Sequence, residues 1–166
     1  LGAEVVVVER SSEIGYPVHT SGGSWTREMK EFRIPESCYN PITRTIFSSP
    51  SHDAEFALGD ETACILRVRQ FYQHLACRAI SSGATMLLST NAISMEEEDH
   101  DSVTVKALDH GRTVTIRGHV CIDCSGFPGV IGRSSGLVDT WKRYGLGAEY
   151  EAWVEYVDPS TTILQV

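Results

Sequence analysis

The segment that decides the fold is LGAEVVVVER, residues 1–10, which opens the chain. Val5 to Val8 form a run of β-branched residues, which predicts a strand buried on both faces. Glu9 then places an acid at the carboxyl end of this strand. In dinucleotide-binding folds such an acid ends the second strand, about 20 residues after a Gly-rich phosphate-binding turn. The sequence contains no Gly-x-Gly-x-x-Gly, so we expect the chain to be an internal fragment of a longer protein.

Composition limits the classes of partner. The formal net charge of -8 argues against nucleic acid or an anionic membrane surface as a purely electrostatic partner. No apolar run reaches the roughly 18 residues of a membrane span, although a hydrophobic lipid substrate remains compatible with the sequence. The 5 cysteines are odd in number and scattered, which favours reduced thiols and a cytoplasmic location.

Two of the cysteines, Cys121 and Cys124, form a Cys-x-x-Cys sequence with two readings. One reading is a redox or zinc motif, and the other is a pair of small apolar residues in a strand. We interpret HVCIDCSG, residues 119–126, as a strand, on which residues three apart point to opposite faces. This favours the structural reading, and we predict no metal site.

The acidic run from Glu96 to Asp101 is interpreted as a solvated hairpin end.

Periodicity predicts a mixed order of strands and helices. The clearest helix is RQFYQHLACRAISSGA, residues 69–84, with an apolar stripe and Gly83 as its C-cap. A short helix is expected over SWTREMKEF, residues 24–32, with Ser24 as N-cap and Trp25, Met29 and Phe32 on one face. The predicted strands are 3–9, three pieces between 42 and 66, TMLLS at 85–89, a β-meander over 91–118 with a His-Gly turn, 119–126, and a tail strand over 144–157.

The segment CIDCSGFPGVIGR, residues 121–133, carries the second candidate site. Asp123 precedes Gly126 by three residues, and Gly129 precedes a predicted helix. Glycines let backbone N–H groups approach a ligand, and a helix N-terminus favours negative charge. Asp123 could therefore hold a ribose or ribityl hydroxyl, whereas the alternative is a Gly-rich turn without a ligand.

Four segments of the chain carry a family resemblance when they are taken together. They are VVVVERSSEIGYPVHTSGG (5–23), RQFYQHLACRAISSGATML (69–87), VCIDCSGFPGVIGR (120–133) and YGLGAEYE (144–151). They resemble the geranylgeranyl reductase family of flavoproteins, within the wider group that includes p-hydroxybenzoate hydroxylase. The resemblance covers nearly the whole chain, and the segments occur in the family order. Three departures from the family pattern are Thr20 in place of a Cys, Tyr72 in place of an Asp, and Gly129 in place of a Ser, and the family's later Gly-Asp motif is also missing.

The resemblance implies cofactor roles for particular residues. Glu9 would bind the adenosine ribose of FAD, with Arg10 beside it. Arg69, or failing that Arg67, would lie near the flavin or its pyrophosphate. The segment from Pro17 to Gly23 would run beside the isoalloxazine ring. Asp123, Gly126 and Gly129 would also contact FAD, and no catalytic residue is assigned.

The fold class expected is mixed α/β. It would comprise a partial FAD-binding Rossmann-like domain over 1–40 and 67–138, with a β-meander. Part of an antiparallel substrate-domain sheet would cover 41–66 and 139–166. In this family the first strand, absent here, lies between Val5–Val8 and Val120–Cys124, so we expect homo-oligomers through exposed sheet edges.

The function expected is that of a fragment of an FAD-dependent oxidoreductase. The full-length protein would reduce alkene bonds of a prenyl lipid with FAD and NAD(P)H, in the cytoplasm or peripheral to a membrane. The fragment alone is expected to bind FAD weakly and to be inactive. Two alternatives stay open: an aromatic hydroxylase or halogenase of the same flavoprotein group, and a non-catalytic folded remnant or interaction module.

Overall fold

The structure is a computed structural model that describes residues 2–57, 59, 62–99, 101–126, 129–137, 158 and 160–165. Three α-helices, one 3-10 helix and 11 strands lie within these ranges, which confirms the predicted mixed α/β class. In chain order they are β1 (Val6–Val8), β2 (Gly23–Trp25), α1 (Thr26–Glu31), the 3-10 helix (Glu36–Cys38), β3 (Tyr39–Ile42), β4 (Arg44–Ser48), β5 (Asp53–Ala57), β6 (Ala63–Leu66), α2 (Val68–Ser81), β7 (Thr85–Leu87), β8 (Thr90–Asp99), β9 (Ser102–Asp109), β10 (Arg112–Gly118), α3 (Val130–Ser134) and β11 (Thr161–Gln165).

The chain divides into two compact units. The first unit comprises Leu1–Ile14 and Ala76–Gly147. In it β1 pairs in parallel with β7, Val6 opposite Thr85 and Val8 opposite Leu87. Strands β8, β9 and β10 form an antiparallel meander in the order β10-β9-β8. Helix α3 is tied to this meander, because the backbone N–H of Met95 donates to Ser134 Oγ at 2.9 Å.

The second unit comprises Gly15–Leu75 and Ala148–Val166. One of its sheets is antiparallel with the order β2-β6-β3, and the other is mixed with the order β11-β4-β5. The first sheet carries an apolar core that contains the fully buried Cys64 at its centre. Burial raises the pKa of this thiol, which keeps it neutral and suited to a core. The core residues are Met29, Ile34, Cys38, Tyr39 and Cys64, with Leu66 and Phe71 packed against them.

The two elements with the strongest local patterns formed as predicted. Helix α2 covers Val68–Ser81 and is followed by Gly83 at φ +95°. The meander strands β9 and β10 join through His110 at φ 47° and Gly111 at φ 81°. Two successive positive φ angles match a two-residue hairpin turn whose twist suits the flanking strands. In both elements the deciding information lies within a few residues of the chain.

The predicted helix at 24–32 was wrong in its start and in its face. Helix α1 begins at Thr26. Trp25 occupies the N-cap position, and its side chain makes no capping hydrogen bond. Ser24 lies in β2 instead, and its hydroxyl donates to Glu28 at 3.1 Å. Of the predicted face only Met29 is buried, whereas Trp25 is 51% and Phe32 61% exposed. A short helix takes its orientation from the sheet beneath it, so six residues of pattern are too few to fix it.

Two further expectations about strands were also wrong. The predicted strand 3–9 is the three-residue β1, and it is not buried, because Val5, Val6 and Val7 are 46%, 39% and 36% exposed. Residues 119–126 form no strand with any described residue, and Val120 and Ile122 are 78% and 80% exposed. The argument that Cys121 and Cys124 point to opposite faces of a strand therefore loses its premise.

The predicted tail strand over 144–157, which includes YGLGAEYE, lies outside the described residues. Among the helices that the structure describes, none combines the length and the apolar character that crossing a bilayer requires.

Candidate functional site

Glu9 occupies the carboxyl end of the parallel strand β1, as the sequence predicts. Its backbone N–H donates to Leu87 O at 2.9 Å, and its carbonyl accepts from the N–H of Thr90 at 2.9 Å. These bonds fix the residue against β7 and β8. The half-buried carboxylate accepts through Oε1 from the N–H of Ser11 at 2.6 Å. Its Oε2 has no partner within the described part of the chain, so this oxygen is available as an acceptor.

The neighbouring Arg10 is exposed and marks the start of the loop that follows β1. No described hydrogen bond or ion pair fixes its guanidinium. Its predicted part in cofactor binding therefore stays a prediction.

A loop and a helix start come together in the second unit. At Gly15, which has φ +77°, an added Cβ would lie 2.9 Å from Arg69 Cα and 3.1 Å from Arg69 O. The backbone of the loop thus touches the backbone of α2 directly. The Arg69 guanidinium carbon lies 5.7 Å from the centroid of the Tyr16 ring, in cation–π contact. The contact places a cation beside the segment that begins at Pro17.

The same segment is held at its far end by β6. The N–H of Leu66 donates to Gly22 O at 2.8 Å, and Gly22 is buried. Arg67, the alternative to Arg69, donates its backbone N–H to Cys38 O at 2.8 Å. The structure therefore brings the predicted loop 17–23 and the start of α2 into one local arrangement.

Asp123 organises the Gly-rich segment of the first unit. Its Oδ1 accepts from the N–H of Ser125 at 2.8 Å, and its Oδ2 accepts from the N–H of Gly132 at 2.7 Å. Bonds from the hydroxyl and N–H of Ser125 and from the N–H of Gly132 lower the pKa of this carboxyl, against a smaller opposing effect of burial. The side chain therefore bridges the start of the loop to the helix after it.

The loop that Asp123 bridges turns at two glycines. Gly126 and Gly129 have φ angles of +69° and +67°, and the N–H of Gly129 donates to Gly126 O at 2.7 Å. Helix α3 begins directly after Gly129, which confirms the predicted helix start. Ser125 Oγ accepts from the N–H of Val130 at 3.1 Å. A Gly-rich turn into a helix is thus present, while ligand binding by it stays a prediction.

Reasoning from the sequence did not single out Tyr16 or Ser125, and it did not identify Gly132 as a partner of Asp123. Tyr16 provides the ring for Arg69, and nothing in the local pattern signals this pairing. Ser125 and Gly132 donate their N–H groups to the carboxylate of Asp123. The Asp-x-Ser spacing is a recognisable signal for a turn in which Asp bonds to the backbone two residues on.

The cysteines beside Asp123 differ in exposure, because Cys121 is half-buried and Cys124 is exposed. Burial, Asp123 and Cys124 raise the pKa of the Cys121 thiol.

The predicted site residues fall into both units. Glu9, Arg10, Asp123, Gly126 and Gly129 belong to the first, and Arg69 belongs to the second. Among the described side chains, no three His, Cys, Asp or Glu residues are grouped so that they could hold a metal ion.

Comparison with known proteins identifies relatives but no matching family model. The digeranylgeranylglycerophospholipid reductase 2 of Methanosphaera stadtmanae is 28% identical over 146 residues, covering 82% of this chain and 36% of the relative. The digeranylgeranylglycerophospholipid reductase 1 of Methanopyrus kandleri is 28% identical over 168 residues, covering 98% of this chain and 44% of the relative. The chain therefore spans less than half the length of these curated relatives.

Solved structures show the same fold. A geranylgeranyl bacteriochlorophyll reductase-like protein from Thermoplasma acidophilum matches with a TM-score of 0.75 at 22% identity, covering 98% of this chain and 44% of that one. A flavin-dependent monooxygenase, solved in complex with FAD and substrate, matches with a TM-score of 0.61 at 17% identity, covering 81% of this chain and 28% of that one. The resemblance to geranylgeranyl reductases that the sequence predicts is confirmed.

Proposed function

We propose that this relative of the geranylgeranyl reductases forms part of an FAD-dependent oxidoreductase that acts on a prenyl lipid. The observation that carries the FAD part of this proposal is the geometry of Glu9, and the prenyl-lipid part rests on the likeness to digeranylgeranylglycerophospholipid reductases. Its half-buried carboxylate stands at the carboxyl end of a parallel strand, with one oxygen held by Ser11 and the other without a described partner. An acid in this position accepts hydrogen bonds from ribose hydroxyls in dinucleotide-binding folds.

Other residues fit FAD in a supporting way. Arg69 places a cation next to the loop 17–23, which suits a flavin or pyrophosphate neighbour. Asp123 shapes the loop of Gly126 and Gly129 through its bonds to the N–H groups of Ser125 and Gly132, and we propose that this loop, with Asp123, contacts FAD. FAD, when bound, would supply hydride transfer from NAD(P)H to an alkene. The protein would hold and orient the reactants.

We further propose that this chain alone binds FAD weakly. Its sequence offers no Gly-x-Gly-x-x-Gly turn, whose N–H groups hold the pyrophosphate in this class of fold. Charge-assisted hydrogen bonds contribute about 1.5–3 kcal/mol each, so the lack of several weakens binding by orders of magnitude.

The test measures binding of FAD and ADP-ribose to the purified chain. We expect a colourless protein that shows saturable shifts of its backbone NMR signals near Glu9 only at high ligand concentration. Glu9→Gln should reduce this binding several-fold, whereas Glu4→Gln, an exposed acid before β1, should leave it unchanged. A yellow protein with one flavin per chain would contradict weak binding. Equal effects of the two substitutions would contradict the role of Glu9.

A second candidate is an FAD-dependent aromatic hydroxylase or halogenase. The observation that favours it is the likeness of the fold to a flavin-dependent monooxygenase, which lies in a different functional class from the reductases. The two candidates differ in what oxidises the reduced flavin, which is an alkene in the first and oxygen in the second. A full-length protein that reduces an alkene anaerobically supports the first proposal, whereas one that requires oxygen supports the second.

The third candidate is a folded remnant or interaction module without catalysis. A full-length protein that binds no flavin at all would favour it.

For a prenyl-lipid substrate, we propose that the full-length protein works at the periphery of a membrane. Sedimentation with vesicles that contain the lipid, and not with vesicles that lack it, tests that location.

A further inference from the structure

The backbone brings Tyr16 to the first turn of helix α2. Gly15, the residue before it, has φ +77°, and a Cβ added there would lie 2.9 Å from Arg69 Cα. The loop and the helix therefore meet through main-chain atoms, which no side-chain rotation can move apart. Arg69 is the second residue of α2, so its side chain also starts from a fixed point. The ring of Tyr16 and the guanidinium of Arg69 are thus held within reach of each other.

The contact between the two side chains restrains a long, flexible cation. The guanidinium carbon of Arg69 lies 5.7 Å from the centroid of the Tyr16 ring. Fixing an arginine side chain costs rotamer entropy, which must be offset by the contacts that it makes. At an exposed site a cation–π contact favours the restrained arrangement by about two- to five-fold. Tyr16 is 60% exposed, so this contact belongs to the surface and not to the core.

The position of Arg69 runs against the local preference of a helix. The first turn carries a partial positive charge and favours acidic side chains. Helix α2 has no acid in its first turn, and Arg67 and Arg69 stand on either side of Val68 at its start. Departures from a local rule are concentrated at functional sites. A pair of cations here attracts an anionic or oxygen-rich group.

The structure treats the two arginines differently. The backbone N–H of Arg67 donates to Cys38 O at 2.8 Å, which fixes its main chain. Within the described part of the chain no side-chain hydrogen bond, ion pair or ring contact holds the guanidinium of Arg67. The guanidinium of Arg69 is held by the ring of Tyr16. A side chain that is already restrained loses less entropy when it binds a ligand.

We propose that Tyr16 is a positioning residue of the FAD site, which acts by holding the guanidinium of Arg69 beside the loop 17–23. Arg69, and not Arg67, would then bind acceptor oxygens at the flavin end of the cofactor. A guanidinium donates equally well to phosphate oxygens and to carbonyl oxygens, so both are candidate groups. The inference rests on the proposed function, because it needs FAD to be the ligand.

Titration of the full chain with FMN, followed by NMR, tests the role of Tyr16. We expect FMN to shift the Nε–H signal of Arg69. Tyr16→Leu should raise the dissociation constant about two- to five-fold, and Tyr16→Phe, which keeps the ring, should restore it. The matched control is Phe32→Leu, since Phe32 is 61% exposed and should leave FMN binding unchanged. Urea unfolding of each variant checks that the fold is retained.

The choice of ligand separates this inference from the proposed function. FMN lacks the adenosine ribose that Glu9 would bind, and ADP-ribose lacks the flavin. The tests of Tyr16 and of Glu9 can therefore fail independently. Riboflavin distinguishes the candidate oxygens, because it has the flavin carbonyls without the phosphate. If Tyr16→Leu weakens FMN alone, Arg69 binds the phosphate, and if it weakens riboflavin equally, Arg69 binds a carbonyl; both results support the positioning role.

A double-mutant cycle shows whether Tyr16 acts through Arg69. In an Arg69→Gln background Tyr16→Leu should no longer change FMN binding, whereas in an Arg67→Gln background its effect should persist. A merely structural role of the ring would give the same loss in both backgrounds. The inference is overturned by that result, by a chain in which FMN shifts no signal of Arg69, or by equal losses in Tyr16→Leu and Phe32→Leu.

Discussion

Replacing Gly15 with Ala tests the contact between the loop after β1 and helix α2. The residue has φ +77°, and an added Cβ would lie 2.9 Å from Arg69 Cα and 3.1 Å from Arg69 O. Both of these are backbone atoms, so no side chain can turn aside. The left-handed conformation costs Ala roughly 1–2 kcal/mol, and overpacking costs typically 1–3 kcal/mol. We expect Gly15→Ala to lower the free energy of unfolding by about 2–5 kcal/mol.

The matched control is Gly136→Ala. Gly136 has φ +74°, and no atom of the described residues lies within 4 Å of its added Cβ. It therefore carries the conformational cost of about 1–2 kcal/mol without the clash. The difference between the variants isolates the contact with Arg69.

Urea unfolding, followed by circular dichroism, measures both variants. With a slope of about 2 kcal/mol/M, the midpoint should fall by about 1–2.5 M for Gly15→Ala and by about 0.5–1 M for the control. Equal shifts would refute the argument, because they would mean that the loop does not press on α2. A changed slope would show that the variant altered the compactness of a state rather than one contact.

Two further predictions concern packing and charge. Met29→Ala should destabilise by about 2–5 kcal/mol because Met29 is 4% exposed, whereas Phe32→Ala should cost less than about 1 kcal/mol because Phe32 is 61% exposed; thermal unfolding compares them, and similar losses would restore the sequence-based helix face. The pKa of Asp123 is lower in the folded state than in the unfolded state. Its contribution to the stability of the fold is therefore present above the pKa of an unfolded Asp, about 3.9, and is lost as pH falls through the folded-state pKa. Asp123→Asn should therefore destabilise the chain at pH 7 and flatten the dependence of stability on pH below about 4, and an unchanged pH profile would show that the bonds to Ser125 and Gly132 contribute little.

The positions of the candidate residues in the fold were predictable from the sequence in part, whereas most of their contacts were not. Glu9 could be placed because a strand followed by an acid is a local pattern, and the structure holds it where that pattern put it. The partner of Arg69 could not be predicted, since Tyr16 is separated from it by more than fifty residues of chain. Of the two partners of Asp123, Ser125 could be predicted from its spacing in the sequence. The bond from Gly132 could not, because it depends on how the loop between them turns.

The elements that the sequence determined are those whose hydrogen bonds close locally. Helix α2 satisfies its own backbone, and the β9–β10 hairpin is closed by its own turn at His110 and Gly111. Strands that pair over long separations were decided by the tertiary structure. Strand β11 pairs with β4, Thr161 opposite Arg44, a partnership that no local pattern encodes.

Residues 119–126 show this division most clearly. Their composition favours a strand, and their glycine-rich continuation leads into α3 as expected. Yet they form no ladder with any described residue, and Ile122 is 80% exposed. A helix is a property of one segment, because its bonds run from each residue to the fourth before it. A strand is a property of two segments, so the sequence can favour the conformation while only a partner makes it a sheet.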